Sequence, residues 1–195
     1  MQNGLVIRKA PDRKQELRAT MRAVRRDVSP AMRRKAARQA ATFALRVLRS
    51  RRTVAICLSH GFELGTGPLI AQLLRRHHRL CAPRLRGDTM VFVEINRRSQ
   101  LRRNPFGILE PVSVRRAGRI DAIVLPLLAV DATGHRLGQG GGFYDRALAR
   151  RRPFRRPLLI GYAYAAQQVK QVPRAPHDIR LHGVVTERGI RWPTG

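Results

Sequence analysis

Between Arg136 and Arg146 the chain reads R-L-G-Q-G-G-G-F-Y-D-R, placing four glycines, two arginines and one carboxylate within eleven residues. Gly138 and Gly140 to Gly142 permit positive φ angles and let backbone N–H groups come close to a ligand. A helix starting at about Gly142 would add unpaired N–H groups and a positive dipole end, which favour phosphate. Arg136 and Arg146 can donate bidentate hydrogen bonds, and Asp145, one turn into that helix, could hold magnesium against phosphates. The stretch lacks the Lys-Ser/Thr pair of a Walker loop and does not fit the dinucleotide fingerprint. A flexible strand-to-helix connection, with Asp145 as a dipole-stabilised helix-start carboxylate, is the alternative reading.

Other residues of chemical interest lie far off in sequence. Lys14 and Arg18 are four apart and share one helix face, beside an apolar stripe of Leu17, Met21 and Val24, with Arg25 in line. Cations bordering a buried stripe either snorkel or face a cleft. Glu63 follows an apolar strand by the short loop SHGF, where a carboxylate can pair with a donor-rich ring edge or with one of many arginines. Asp178 sits in the Pro-rich connection PRAPHDIR and reads as a turn former. Cys57 and Cys81 lie in apolar segments and read as small core residues rather than a disulfide or metal site.

The elements that must position these residues follow from periodicity. Helical spacing over Asp12 to Val28 predicts an amphipathic helix. Ser29-Pro30 starts a second, running to about Leu48 with Met32, Ala36, Ala40, Phe43 and Val47 on one face. Thr53 to Leu58 is a buried strand. Thr66 can cap a helix with Pro68 in its first turn and Leu69, Ile70, Leu73 and Leu74 inside. Leu80 to Leu85 and Met90 to Ile95 are strands around a Gly87-Asp88 turn. Arg97 to Arg119 has no period and reads as a long functional loop. Ala122 to Val130 is one continuous apolar strand, of the kind covered on both faces. After the glycines a helix runs from about Gly142 to Arg151, then strands cover Pro157 to Tyr164 and Gly183 to Thr186. Alternating strands and helices predict a three-layer α/β/α, Rossmann-like fold with a mostly parallel sheet. One domain is expected over residues 1–195, with two amino-terminal helices at 12–48 and an α/β core at 53–187.

Composition narrows the function classes. The 195 residues, 43% of them hydrophobic, suffice for one packed core. The longest apolar run is far short of the ~18 residues that span a bilayer, and the amino terminus lacks a secretory pattern. A soluble, cytoplasmic, monomeric protein is expected. The net charge of +28 comes almost entirely from arginine, since only Lys9, Lys14, Lys35 and Lys170 are lysines. These arginines are spread along the chain with few aromatics between them, so non-specific polyanion binding is expected rather than nucleic-acid recognition. A basic α/β module that binds nucleic acid, with weak or lost catalysis, remains the rival reading.

Five stretches in order resemble the 5-formyltetrahydrofolate cyclo-ligase family: Lys14 to Arg18, Glu63 to Thr66, Asn104 to Pro111, Arg136 to Arg146, and His177-Asp178-Ile179 with Val184 to Glu187. The resemblance implies ATP-dependent closure of 5-formyltetrahydrofolate to 5,10-methenyltetrahydrofolate, with release of ADP and phosphate. It implies ATP contacts from Lys14, Arg18, Arg136, Leu137, Gly138, Gln139, Gly140, Gly141, Gly142, Phe143 and Tyr144. Among these, Lys14, Arg18, Arg136 and Tyr144 carry catalysis. It further implies folate contacts from Leu58, Glu63, Gly141 and Phe143, and magnesium held by Asp145 and Asp178. Gln139 replaces a common arginine, Phe143 a tyrosine, and Gly65 and His182 two further acids. The arginine surplus would favour polyglutamylated folate.

Overall fold

The computed structural model describes residues 12–149, 157–175 and 178–194. Arg151, the expected end of the last helix, and His177 lie outside the described residues.

Two helices open the fold. Helix α1 (Arg13–Arg26) is capped by the Asp12 carboxylate, which accepts from the Lys14 N–H. Helix α2 (Pro30–Leu48) begins with Pro30 in its first turn, and the Ser29 hydroxyl accepts from Met32 N–H. Its buried face holds Ala36 and Ala40 as expected, with Phe43 and Val47 packed at its edge, but it leaves out Met32. Ala36, Ala37, Ala40, Ala41, Ala44, Leu45 and Leu48 are buried, while Met32 is 56% exposed. Small alanines let the helix lie close against the sheet, so close approach decided the face rather than side-chain size.

The central sheet has seven strands, in the order β11-β10-β9-β6-β1-β2-β3. Strands β1 (Thr53–Ile56), β2 (Arg79–Arg86), β6 (Ala122–Pro126), β9 (Leu158–Tyr162) and β10 (Gly183–Thr186) pair in parallel. The edges are antiparallel: β3 (Thr89–Ile95) on β2 and β11 (Gly189–Arg191) on β10. The last of these, three residues long, has no periodicity by which to see it in the sequence. The fold is the expected three-layer α/β arrangement. Val54, Ile56, Ala122 and Val124 pack toward α2 and α3 (Gly67–Arg75), and Ala55, Ile123 and Leu125 pack toward α4 (Phe143–Ala149). Alternate residues of the same strands therefore enter opposite core layers. Cys57 and Cys81 are buried in the core.

Three expectations are corrected. The apolar run Ala122 to Val130 is not one strand: β6 ends at Pro126, and β7 (Ala129–Val130) pairs antiparallel with β8 (Arg136–Leu137). Proline has no N–H to continue a ladder, and the run stays buried because Met21 of α1 packs with Leu128, Ala129 and Leu137. Thr66 precedes α3 but caps nothing with its side chain. Its hydroxyl accepts from Ser59 N–H while its own N–H donates to the Ser59 hydroxyl. The stretch Arg97 to Arg119 carries a small hairpin, β4 (Leu101–Arg103) on β5 (Leu109–Pro111), held by buried Glu110, which accepts from Arg102 and from Leu85 N–H.

Candidate functional site

Strand order reverses at β1, which pairs with β2 on one side and β6 on the other. In open α/β sheets the crevice at the carboxyl ends of such a switch point receives the ligand. The chain leaving β1 becomes the loop bearing Glu63. The chain leaving β6 passes through the β7–β8 hairpin into the glycine-rich loop. Two segments singled out for their chemistry thus open at the one crevice that topology provides.

Helix α1 lies along this crevice and touches it with successive basic residues. Lys14 Nζ pairs with Asp178 Oδ2 at 2.7 Å. One turn on, Arg18 Nε donates to the Gly138 carbonyl at 3.1 Å. Arg22 then donates through Nε and Nη2 to Gln139 Oε1 at 3.4 Å. The face shared by Lys14 and Arg18 is therefore the cleft-edge face. Arg22 was not expected at the site. Its position one turn after Arg18 was the signal available in the sequence.

Leu137 is buried, whereas Gly138, Gln139, Gly140 and Gly141 are exposed. Gly140 has φ +112° and Gly142 φ +62°, angles that L side chains rarely adopt. A Cβ on Gly140 would meet the Arg18 guanidinium at 3.7 Å. The loop backbone and the Arg18 head are thus in near contact, which concentrates N–H groups and positive charge in one place.

Helix α4 begins at Phe143 and splits its aromatics between two surroundings. The Phe143 ring sits edge-on to Phe106 from the β4–β5 hairpin, with centroids 6.0 Å apart, and the Arg146 guanidinium lies 5.0 Å above it. Arg146 also donates to the Asp88 carbonyl, so it braces Phe143 and the β2–β3 turn. Tyr144 turns toward the core layer beneath the sheet. Burial, reinforced by Cys57 and Glu63, pushes its hydroxyl ionisation well up against the opposing Arg136. Tyr144 is therefore a neutral hydroxyl at physiological pH, able to donate a hydrogen bond and unsuited to act as a base.

Arg136, on β8, is buried and turned inward. It donates to the Ile179 carbonyl and pairs with Asp145 Oδ1 at 2.6 Å. The same Asp145 oxygen accepts from Ile179 N–H at 3.2 Å. Asp178 Oδ2 accepts from Ala175 N–H as well as from Lys14, which closes the turn its sequence context suggested. Asp145 and Asp178 thereby meet one short segment, although 33 residues separate them in sequence. Among the described residues no three His, Cys, Asp or Glu side chains form a metal-binding group. Magnesium needs only one or two carboxylates beside substrate phosphates and water, and Asp145 and Asp178 are two partly exposed acids, each paired with a cation, Arg136 and Lys14.

Glu63 lies across the crevice. Its Oε2 accepts from His60 N–H at 3.0 Å, and its Oε1 lies 3.7 Å from Arg25 Nη2. Leu58, half-buried two residues past the end of β1, precedes the loop. Gly107 from the β4–β5 hairpin approaches the His60 ring, so the hairpin tip spans from Phe143 to the Glu63 loop. Phe106 lies in the stretch Asn104 to Pro111, which was singled out by its resemblance without a role for this side chain.

A parallel-sheet switch point, a glycine loop backed by helix-borne cations and two acids beside it define an α/β protein built to hold an anionic ligand. The chain belongs to the 5-formyltetrahydrofolate cyclo-ligase family, whose pattern it matches over residues 10–187. It is 40% identical over 141 residues to the 5-formyltetrahydrofolate cyclo-ligase of Escherichia coli, spanning 69% of this chain and 77% of that one. The corresponding protein of Mycolicibacterium smegmatis is 31% identical over 191 residues, 93% of this chain and 97% of that one. Among solved structures, the 5,10-methenyltetrahydrofolate synthetase of Aquifex aeolicus superposes with a TM-score of 0.76 at 29% identity, over 93% of each chain.

Proposed function

We propose that this chain converts 5-formyltetrahydrofolate to 5,10-methenyltetrahydrofolate, with hydrolysis of ATP to ADP and phosphate. The reading rests on family membership. The observation that carries it to particular residues is the joining of α1, the glycine loop and the Asp178 turn at one end of the sheet. The reaction transfers the γ-phosphoryl group of ATP to the formyl oxygen; the neighbouring folate nitrogen then closes the ring and phosphate leaves. Such a transfer asks a protein chiefly for positioning and charge neutralisation.

Lys14 and Arg18 supply the neutralising charge from α1, and the backbone from Gly138 to Gly142 cradles the phosphates. Leu137 and Gln139 shape the loop, the latter by holding Arg22. Arg136 works from beneath, fixing Asp145 with its buried guanidinium. Asp145 and Asp178 would hold magnesium, which supplies further neutralisation of phosphate charge when bound. Phe143 walls the crevice between nucleotide and folate, and Tyr144 donates a hydrogen bond from its neutral hydroxyl. Glu63 accepts from the amino-pyrimidine edge of the pterin, with Leu58 lining the pocket.

The folate tail also has a favourable surface. A groove of about 620 Å³ runs from Glu63 between α2 and α3 and is lined by Arg33, Arg34, Arg38 and Arg75. This cationic wall supports use of polyglutamylated substrate. Affinity should rise with glutamate number, and equal affinity for mono- and polyglutamates would remove that part of the reading.

The deciding assay mixes purified protein with 5-formyltetrahydrofolate and Mg-ATP and follows the near-ultraviolet absorbance of the methenyl product. Lys14→Ala and Asp145→Ala should each lower turnover by about a hundred-fold or more while the fold is kept. A folded protein that forms no product at high enzyme concentration would return the chain to the rival class of basic binding modules.

A further inference from the structure

We propose that Arg25 is a positioning residue for folate recognition, holding Glu63 in place from the helix whose other end carries the phosphate-side cations. This rests on the reading above, in which Glu63 contacts the folate.

Position 25 of α1 stands in line with Lys14 and Arg18 and borders the apolar stripe of that helix. Met21 lies one turn before it and is buried, and Leu17 and Val24 share the stripe. Arg25 occupies that place and is only 6% exposed. A guanidinium so deep is unfavourable unless partners fix it, and a methionine or leucine would pack there with less loss of hydration. Burial indeed lowers the ionisation equilibrium of Arg25, with Glu63 opposing the effect.

Its partners are specific to one loop. Arg25 Nε donates to the Phe62 carbonyl at 3.3 Å, and Nη2 faces Glu63 Oε1 at 3.7 Å. Nη1 is buried without a hydrogen bond. An incompletely satisfied buried charge is a poor device for stability alone, so a local rule has been broken in favour of something else.

The geometry shows what is gained. Glu63 Oε2 is already oriented by His60 N–H, and the Glu63 carbonyl accepts from the Tyr164 hydroxyl at 3.4 Å. Arg25 faces the remaining oxygen, so both oxygens are directed and each keeps a lone pair for a ligand donor. Arg25 also stands seven residues beyond Arg18, about two turns or ~10 Å along a rigid helix. Helix α1 thus fixes the span between the phosphate-side cations and the carboxylate that reads the pterin. A carboxylate held by a buried partner of this kind loses less freedom when it binds.

The test is a double-mutant cycle of Arg25→Met and Glu63→Gln, with Michaelis constants for 5-formyltetrahydrofolate and for Mg-ATP, turnover and melting temperature measured on each variant. Arg25→Met should raise the folate constant by about ten-fold and leave the ATP constant within about two-fold. In the Glu63→Gln background the same change should add little. Arg25→Lys, which keeps charge without the planar fork, should fall between wild type and Arg25→Met. An unchanged folate constant, an equal increase in both backgrounds, or parallel increases in both constants with a lowered melting temperature would overturn the proposal. If Arg25→Met does not fold, Arg25→Lys in the two backgrounds decides by the same comparison. A Glu63→Gln variant with normal folate affinity would remove the folate reading and this proposal together, whereas a Glu63 effect without an Arg25 effect removes the proposal alone.

Discussion

Asp131 and Asp145 are both carboxylates beside the glycine-rich segment, and their surroundings separate them. Asp145 shares one oxygen between Arg136 and Ile179 N–H and remains partly exposed, as its proposed role requires. Asp131 is buried and its oxygens accept from Thr133 N–H, the Thr133 hydroxyl, His135 N–H and Val172 N–H. Burial alone would raise its ionisation, yet the hydrogen bonds outweigh it and hold the carboxyl below its ordinary value. A lowered folded-state value stabilises the fold above the unfolded value, near pH 4, and that contribution fades as pH falls through the folded value. Asp131→Asn should therefore cost about 1–3 kcal/mol at pH 7 and less near pH 3. Urea unfolding at the two pH values measures the difference. Equal destabilisation at both would show that the charge of Asp131 plays no part.

At the scale of elements, the glycine loop and α2 illustrate opposite uses of small residues. Gly140 is needed for its backbone angle: φ +112° is open to glycine and strained for anything with a Cβ. Gly140→Ala should shift the loop relative to Arg18 and raise the ATP Michaelis constant by about ten-fold. Its melting temperature should change little, because the loop is exposed. A variant with wild-type ATP kinetics would show that the loop angle is not used. The alanines of α2 are small so that the helix can approach the sheet. Ala40 is fully buried, and Ala40→Leu should destabilise by about 1–3 kcal/mol through overpacking. Calorimetry would register this as a clear fall in melting temperature, with kinetics per folded molecule unchanged.

Across the whole molecule the decisive quantity is charge. Among the described residues, ion pairs form at exposed arginines such as Arg79, Arg115 and Arg119, where single pairs contribute little. Twelve acids balance only part of the forty basic residues, and the +28 net charge surrounds the protein with a positive field. Binding to a polyanion such as heparin should be strong at low salt and fall steeply and linearly on a log–log plot against salt concentration. Affinity that persists at high salt would instead indicate a specific nucleic-acid site. No helix among the described residues is long and apolar enough to cross a membrane.

Much of the fold was legible from local pattern, because period and capping act over a few residues. Ser29 caps the second helix as the Ser-Pro pair suggested, and strands form at Val54 and Val124 where apolar segments implied them. The errors came where distant contacts overrule local pattern. Met32 lost its place to alanines that the sheet required, and Pro126 divided a run that looked continuous. The glycine-rich stretch and the acids beside it were likewise visible as residue types, and the family followed from their wording. Sequence alone could put Arg25 in line with Lys14 and Arg18, since that depends only on helical geometry. Only the tertiary structure could pair Lys14 with Asp178, Arg136 with Asp145 and Arg25 with the Glu63 loop. Arg136 and Asp145 are nine residues apart across the glycine loop, whereas Lys14 and Asp178 are 164 apart and meet only because the order of strands in the sheet brings them together.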